Sequence, residues 1–199
     1  FYTGSTETEV EKQFADLRDV KTADEFVRYL DSAIASKFTD DYFTYSLPTE
    51  LNSSSATSPA WYGYIAAINV LGTPMLFSTA QLSQYLVLGA NGNKNSVDKH
   101  HIFPKNYLEK IGFNNDRDRN QIANFTYLDY QTNIDISDDP PMEYVERYRD
   151  KLGEEAYKLA CEQNALPKNF ETMPYPEFLN QRRLLMAQIV KKAYKKLDK

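Results

Sequence analysis

The stretch Lys99-His100-His101-Ile102-Phe103-Pro104 decides how this chain is read. It contains both histidines of the 199 residues, side by side. If the segment is extended, neighbouring side chains point to opposite faces. One imidazole then serves a metal while the other serves a water or a substrate. Neutral imidazole ligates divalent metals, and histidine is the commonest general base near neutral pH. A bare His-His pair says little, because such residues also sit on surfaces and in cores with no task. The surroundings give this pair its meaning.

Upstream, Ala90-Asn91-Gly92-Asn93-Lys94-Asn95-Ser96 is the clearest loop in the chain, and a boundary is expected there. Before it, residues 5–19 carry Val10, Phe14 and Leu17 at helical spacing. Thr22 followed by Glu25 signals a capping box for a second helix that would bury Phe26, Tyr29, Leu30, Ala33 and Ile34. Residues 40–47 are aromatic and can be extended. Pro59 opens a strongly apolar helix stopped by Gly72. Ser78 or Thr79 is expected to cap another, ending near Gly89. Residues 1–90 thus read as a helical region.

Downstream the pattern changes. Residues 98–104 can be extended, residues 104–111 form a helical turn, and residues 112–120 are polar and irregular. Residues 122–128 have strand composition, and residues 132–137 form a turn or short helix. Asp138 or Asp139 is expected to cap a helix with Pro140 and Pro141 in its first turn. Two more helices follow, from Glu154 to Ala165 and from Glu177 to Lys196. The expected fold class is α+β, mostly α: a small two-stranded unit within 91–152, embedded between helical bundles, with helices of 153–199 packing on the rest.

The pieces His100, His101, Ile102 and Pro104, then Asn124, then Asn133 nine positions on, resemble the HNH family of nucleases. Its pattern is Asp, Glu or His before an invariant His, then a hydrophobic residue, any residue and Pro, a middle Asn in a second strand, and an Asn or His at the start of a helix. The HNH domain of RNA-guided CRISPR effectors has the same spacing between its asparagines. The resemblance implies a ββα-metal motif, a hairpin packed on a helix and gripping one divalent cation. It places His100 and Asn133 as metal ligands, His101 as general base, and Asn124 as the residue that orients the base. Magnesium suits a site with few protein ligands, while manganese or nickel tolerates imidazole better. The activity implied is metal-dependent cleavage of DNA, double-stranded in the first instance. A binding module that holds DNA or a protein without cutting it remains the alternative.

A broader resemblance runs through residues 120–126, Thr132, Asn133, Ile136, Ser137, Pro141 and Tyr144, with Tyr175, Pro176, Glu177, Phe178, Leu179, Arg182 and Arg183 further on. These look like the C-terminal region of GmrSD-type modification-dependent restriction enzymes and their phage-defence relatives. Such proteins carry an N-terminal ParB-like nucleotide-binding domain. This chain opens on Phe1 and has no Walker-type glycine loop, so that domain is expected to be a missing partner from the same protein.

The net charge of −5 argues against a general nucleic-acid coat. The charge is uneven, however. Residues 181–199 hold seven cations against one carboxylate, a net of +6, which leaves −11 on the rest. Arg182 and Arg183 are either phosphate contacts or solvated charges, and Lys105 beside the motif is the stronger candidate for touching a DNA backbone. Asp98 is expected to be structural. A single cysteine, Cys161, excludes a disulfide framework and a multi-thiolate zinc site. Together with the lack of any apolar run near the ~20 residues of a membrane span and of a signal peptide, it leads to the expectation of a cytoplasmic protein.

Overall fold

In the computed structural model, which describes residues 5–86 and 97–197, the first helices start where their caps predict. Helix α1 spans Thr6–Leu17 and α2 spans Ala23–Lys37. At the head of α2 the Thr22 hydroxyl accepts from the Glu25 N–H, and the Glu25 carboxylate accepts from the Thr22 N–H. This reciprocal box satisfies two backbone donors that a helix start leaves open. The expected burial along α2 is not found, because none of its residues is buried. Two helices have too little surface to enclose an apolar stripe from all sides. They belong to a compact unit, Phe1–Phe43, and Thr44–Lys199 forms a second.

Residues 42–46 are not extended as expected. They wind into a π-turn, Tyr42–Ser46, that continues into α3 (Leu47–Glu50). Leu47 and Leu51, one helical turn apart, share a face and are both buried. Helix α4 (Pro59–Leu71) follows, with the Ser58 hydroxyl accepting from the Trp61 N–H and Gly72 closing it at φ 69°. That left-handed backbone is why glycine stands there. The next helix begins later than Ser78 or Thr79. Pro74 pairs with Gln81, and the Met75 N–H donates to the Ala80 carbonyl, so a tight loop occupies the expected start and α5 is Ser83–Leu86. Its expected end near Gly89 and the loop of residues 90–96 lie outside the described residues.

Strand β1 (Val97–His101) is followed by α6 (Lys105–Lys110), α7 (Asp116–Arg119), a 3-10 turn (Ile122–Asn124), β2 (Phe125–Asp129) and α8 (Tyr130–Ile136). The strands pair antiparallel, with His101 opposite Phe125 and His100 opposite Thr126. Asn124 therefore precedes β2 instead of lying within it. Helices α9 (Pro141–Leu152) and α10 (Glu154–Gln163), a 3-10 turn (Phe170–Thr172) and α11 (Tyr175–Leu197) complete the chain. Pro140 occupies the cap position of α9, where no side chain caps. Asp138 instead accepts from the Asn106 amide, and Asp139 pairs with Arg147 at 2.7 Å.

The ribbon of β1 and β2 lies between two helices. The Trp61 ring of α4 contacts both Phe125 and Tyr127 on one face, with centroids 6.0 Å from each. Helix α8 packs on the other face. The long helix α11 runs along α3 and α4, and the Lys196 ammonium donates to the Val70 carbonyl at the end of α4. This packing ties residues before and after position 90 into one unit, so the division into compact units falls at Phe43/Thr44. The protein is mostly helical with a small two-stranded antiparallel sheet among the described residues. Among those residues no helix is long and apolar enough to cross a membrane.

Candidate active site

Alternation along β1 sends Asp98 and His100 to the α8 side and Lys99 and His101 to the α4 side. Each imidazole is then held by a different asparagine. On the α8 side, His100 Nδ1 lies 2.8 Å from Asn133 Oδ1. The Asn133 amide is itself oriented, because its Nδ2 donates to the Asp98 carboxylate at 3.1 Å. An amide oxygen only accepts, so in the neutral ring Nδ1 carries the proton. His100 Nε2 is buried with no hydrogen-bond partner.

On the α4 side, His101 Nε2 lies 3.0 Å from Asn120 Oδ1. The ring also meets the edge of Phe125, its cross-strand neighbour, at 4.8 Å. The Lys99 ammonium sits 4.5 Å over the same Phe125 ring. The Asn120 amide thus places the proton of neutral His101 on Nε2 and leaves Nδ1 as a bare lone pair.

Both rings are held neutral at physiological pH. Burial pushes the His100 pKa down, opposed by the Asn133 hydrogen bond and by the nearby Asp138 and Asp98 carboxylates. Burial also dominates at His101, with Lys105, His100 and Lys99 adding to it and the Asn120 hydrogen bond opposing, and its pKa falls to about 4. A neutral imidazole is the form that ligates a cation or takes a proton. The two histidines open onto a shallow cleft of about 180 Å³ whose walls include Lys99, Lys105 and Asp138.

Asn124 does not touch the His101 ring, which corrects the role expected of it. Its side chain is 0% exposed. Oδ1 accepts from the Phe103 N–H at 2.8 Å, and Nδ2 donates to the Phe103 carbonyl at 3.0 Å and the Arg119 carbonyl at 3.2 Å. Its own carbonyl accepts from the Ile102 N–H. The amide of Asn124 therefore reads the backbone just beyond the histidines and fixes where β1 ends. The Tyr144 hydroxyl completes the clamp by donating to the Ile102 carbonyl at 2.7 Å.

Arg182 is a second correction. It is 0% exposed, so its guanidinium is closed off from a phosphate in solution. Nη1 donates to the Ala123 carbonyl at 2.8 Å, one residue before Asn124, and Nη2 points at the Asn164 carbonyl at 3.5 Å. Arg183 is half-buried and already engaged, donating to Asn180 Oδ1 and Gln121 Oε1. Lys105 stays at the cleft, partly exposed, with Asp116 3.7 Å away. Asp98 has the structural role expected, through Asn133. Asn120 was not anticipated. It opens the 120–126 run of the broader resemblance, but neither periodicity nor that run assigned it a role.

A divalent cation can be tested against these donors. His100 Nδ1 and Asn133 Oδ1 sit 2.8 Å apart, close to the edge of about 2.9 Å that neighbouring ligands at 2.0–2.1 Å make around an octahedral ion. Nδ1 could ligate only after giving up the proton it donates to Asn133, and the buried, unpartnered Nε2 of His100 is the atom that could take it. One nitrogen, one amide oxygen and nearby carboxylates make a sparse but compatible donor set. Among the described residues no group of three or more His, Cys, Asp or Glu side chains is arranged to hold a metal. No protein-family model, curated protein or solved structure matches the chain.

Proposed function

We propose that residues 97–136 form the cutting centre of a metal-dependent DNA endonuclease of the HNH type. The observation that carries this reading is the division of labour in β1: adjacent histidines on opposite faces, one latched to Asn133 at the start of α8, the other free at Nδ1 beside a cleft with two lysines. In this reading His100 and Asn133 hold the divalent cation. When bound, the cation neutralises charge that builds on the phosphoryl and departing 3′ oxygens. His101 Nδ1 takes a proton from water as the water oxygen bonds to phosphorus. The P–O3′ bond breaks, and the 3′ oxygen leaves with a proton from solvent. Lys99 and Lys105 offset the phosphodiester charge at the cleft.

The test is incubation of supercoiled plasmid with the protein and magnesium, manganese or nickel. Nicking that disappears with a chelator supports the reading. Binding without nicking across metals and concentrations supports a non-catalytic module, the reading that the acidic body of the chain favours. A ligand role for Asn133 carries its own expectation. Asn133→Ala should move the midpoint of the magnesium titration upward by at least about tenfold, and an unchanged midpoint removes Asn133 from the ligand set. The wider setting in a restriction or phage-defence protein with a ParB-like domain rests on the sequence resemblance alone.

A further inference from the structure

Asn120 is the only side chain hydrogen-bonded to His101 among the described residues, and the sequence alone assigns it no role. Its position is fixed from both sides. Its N–H donates to the Asp116 carbonyl. The Tyr175 hydroxyl donates to the Asp118 carbonyl at 2.9 Å, Asn124 Nδ2 to the Arg119 carbonyl, and Gln121 Nε2 to the Arg117 carbonyl. Beyond it, the Ile122 N–H donates to the Ser53 carbonyl and Arg182 to the Ala123 carbonyl. Two segments distant in sequence, α11 and the loop at Ser53, thus hold the backbone around one half-buried amide. What that amide does with its fixed position is to present an oxygen to a ring nitrogen.

We propose that Asn120 is a positioning residue for the proposed cleavage: by accepting from Nε2–H it holds His101 in the tautomer whose Nδ1 lone pair receives the proton of the attacking water. The inference rests on the nuclease reading for its purpose but not for its measurement. The free ring in water favours the Nε2–H form only modestly and turns freely about its side-chain bonds. A fixed acceptor removes both freedoms, as the partner of a catalytic imidazole does in general. The Phe125 edge contact packs the ring but carries no preference between its nitrogens.

The tautomer can be read without any turnover. In protein carrying 15N histidine there are two rings to assign, and His100→Gln identifies which signals belong to His100. At pH 7.5 the wild-type His101 is expected to give the widely split nitrogen shifts of a single Nε2–H tautomer. In Asn120→Ala the two shifts should converge toward a mixture, while Asn120→Asp, which keeps an acceptor, should preserve the splitting. In the plasmid assay Asn120→Ala should lower kcat by about 10–100-fold, with KM and the metal midpoint unchanged and most of the rate retained in Asn120→Asp. A wild-type His101 found as Nδ1–H, or an Asn120→Ala ring with its splitting intact, overturns the proposal, and the first of these needs no variant that folds. If the protein cuts nothing with any metal yet the tautomer follows Asn120, the nuclease reading fails and Asn120 still positions the ring.

Discussion

Replacing His101 with alanine is expected to slow metal-dependent cleavage by a factor of about 10²–10⁴, the usual contribution of a positioned acid–base side chain. The effect should fall on kcat. His101 makes one side-chain hydrogen bond and one ring contact, so its removal should lower stability by only about 1 kcal/mol. The metal midpoint should stay in place, because the ring lies on the face of β1 opposite Asn133. Circular dichroism and a denaturant titration beside the nicking assay separate lost chemistry from lost fold. Cutting by the variant at the wild-type rate would remove His101 from the mechanism, whatever the metal does.

The second large effect is on stability and concerns Arg182. Arg182→Ala should destabilise the protein by about 3–5 kcal/mol, combining a cavity in the core with the buried Ala123 carbonyl left without its donor. A domain's whole stability is commonly about 5–15 kcal/mol, so this variant sits near the edge of folding. Arg183→Ala, one residue on, should lose no more than about 1 kcal/mol, since its partners Asn180 and Gln121 can turn to water. Urea midpoints compared at equal slope give the two values. A fully stable Arg182→Ala with weakened DNA binding would restore the phosphate-contact reading that the burial of this guanidinium opposes.

Much of this was legible in the chain. Period and caps located α2 and α4 to within a residue, because Thr22, Glu25, Pro59 and Gly72 act through local chemistry. The β1–β2–α8 order followed from the spacing of His101, Asn124 and Asn133. Where reading failed, long-range packing had decided. The 74–81 loop displaced the start of α5 by pairing Pro74 with Gln81. Arg182 looked like a surface cation because charge alone does not reveal a carbonyl waiting 59 positions earlier in sequence. Asn120 and Asn124 are four residues apart and chemically identical. Only the fold tells which one faces the ring and which one faces the backbone.

The carbonyl clamps around residues 118–124 have a consequence for how the site comes apart. Tyr175 and Arg182 belong to the longest helix, and Asn124 binds the amides of Ile102 and Phe103 through its carbonyl and side chain. Because α11 holds the Asp118 and Ala123 carbonyls leading into that asparagine, those amides are expected to meet solvent only when α11 also lets go. In hydrogen exchange they should therefore be as slow as the interior of α11, opening only with the whole unit and not by local fraying. Exchange at Phe103 that is much faster than at Met186 would show a separately melting site. A centre built this way has no half-assembled form: it is intact whenever the protein is folded and gone as soon as it is not. For the proposed DNA cleavage, that would leave no loosened intermediate to cut without its full set of constraints.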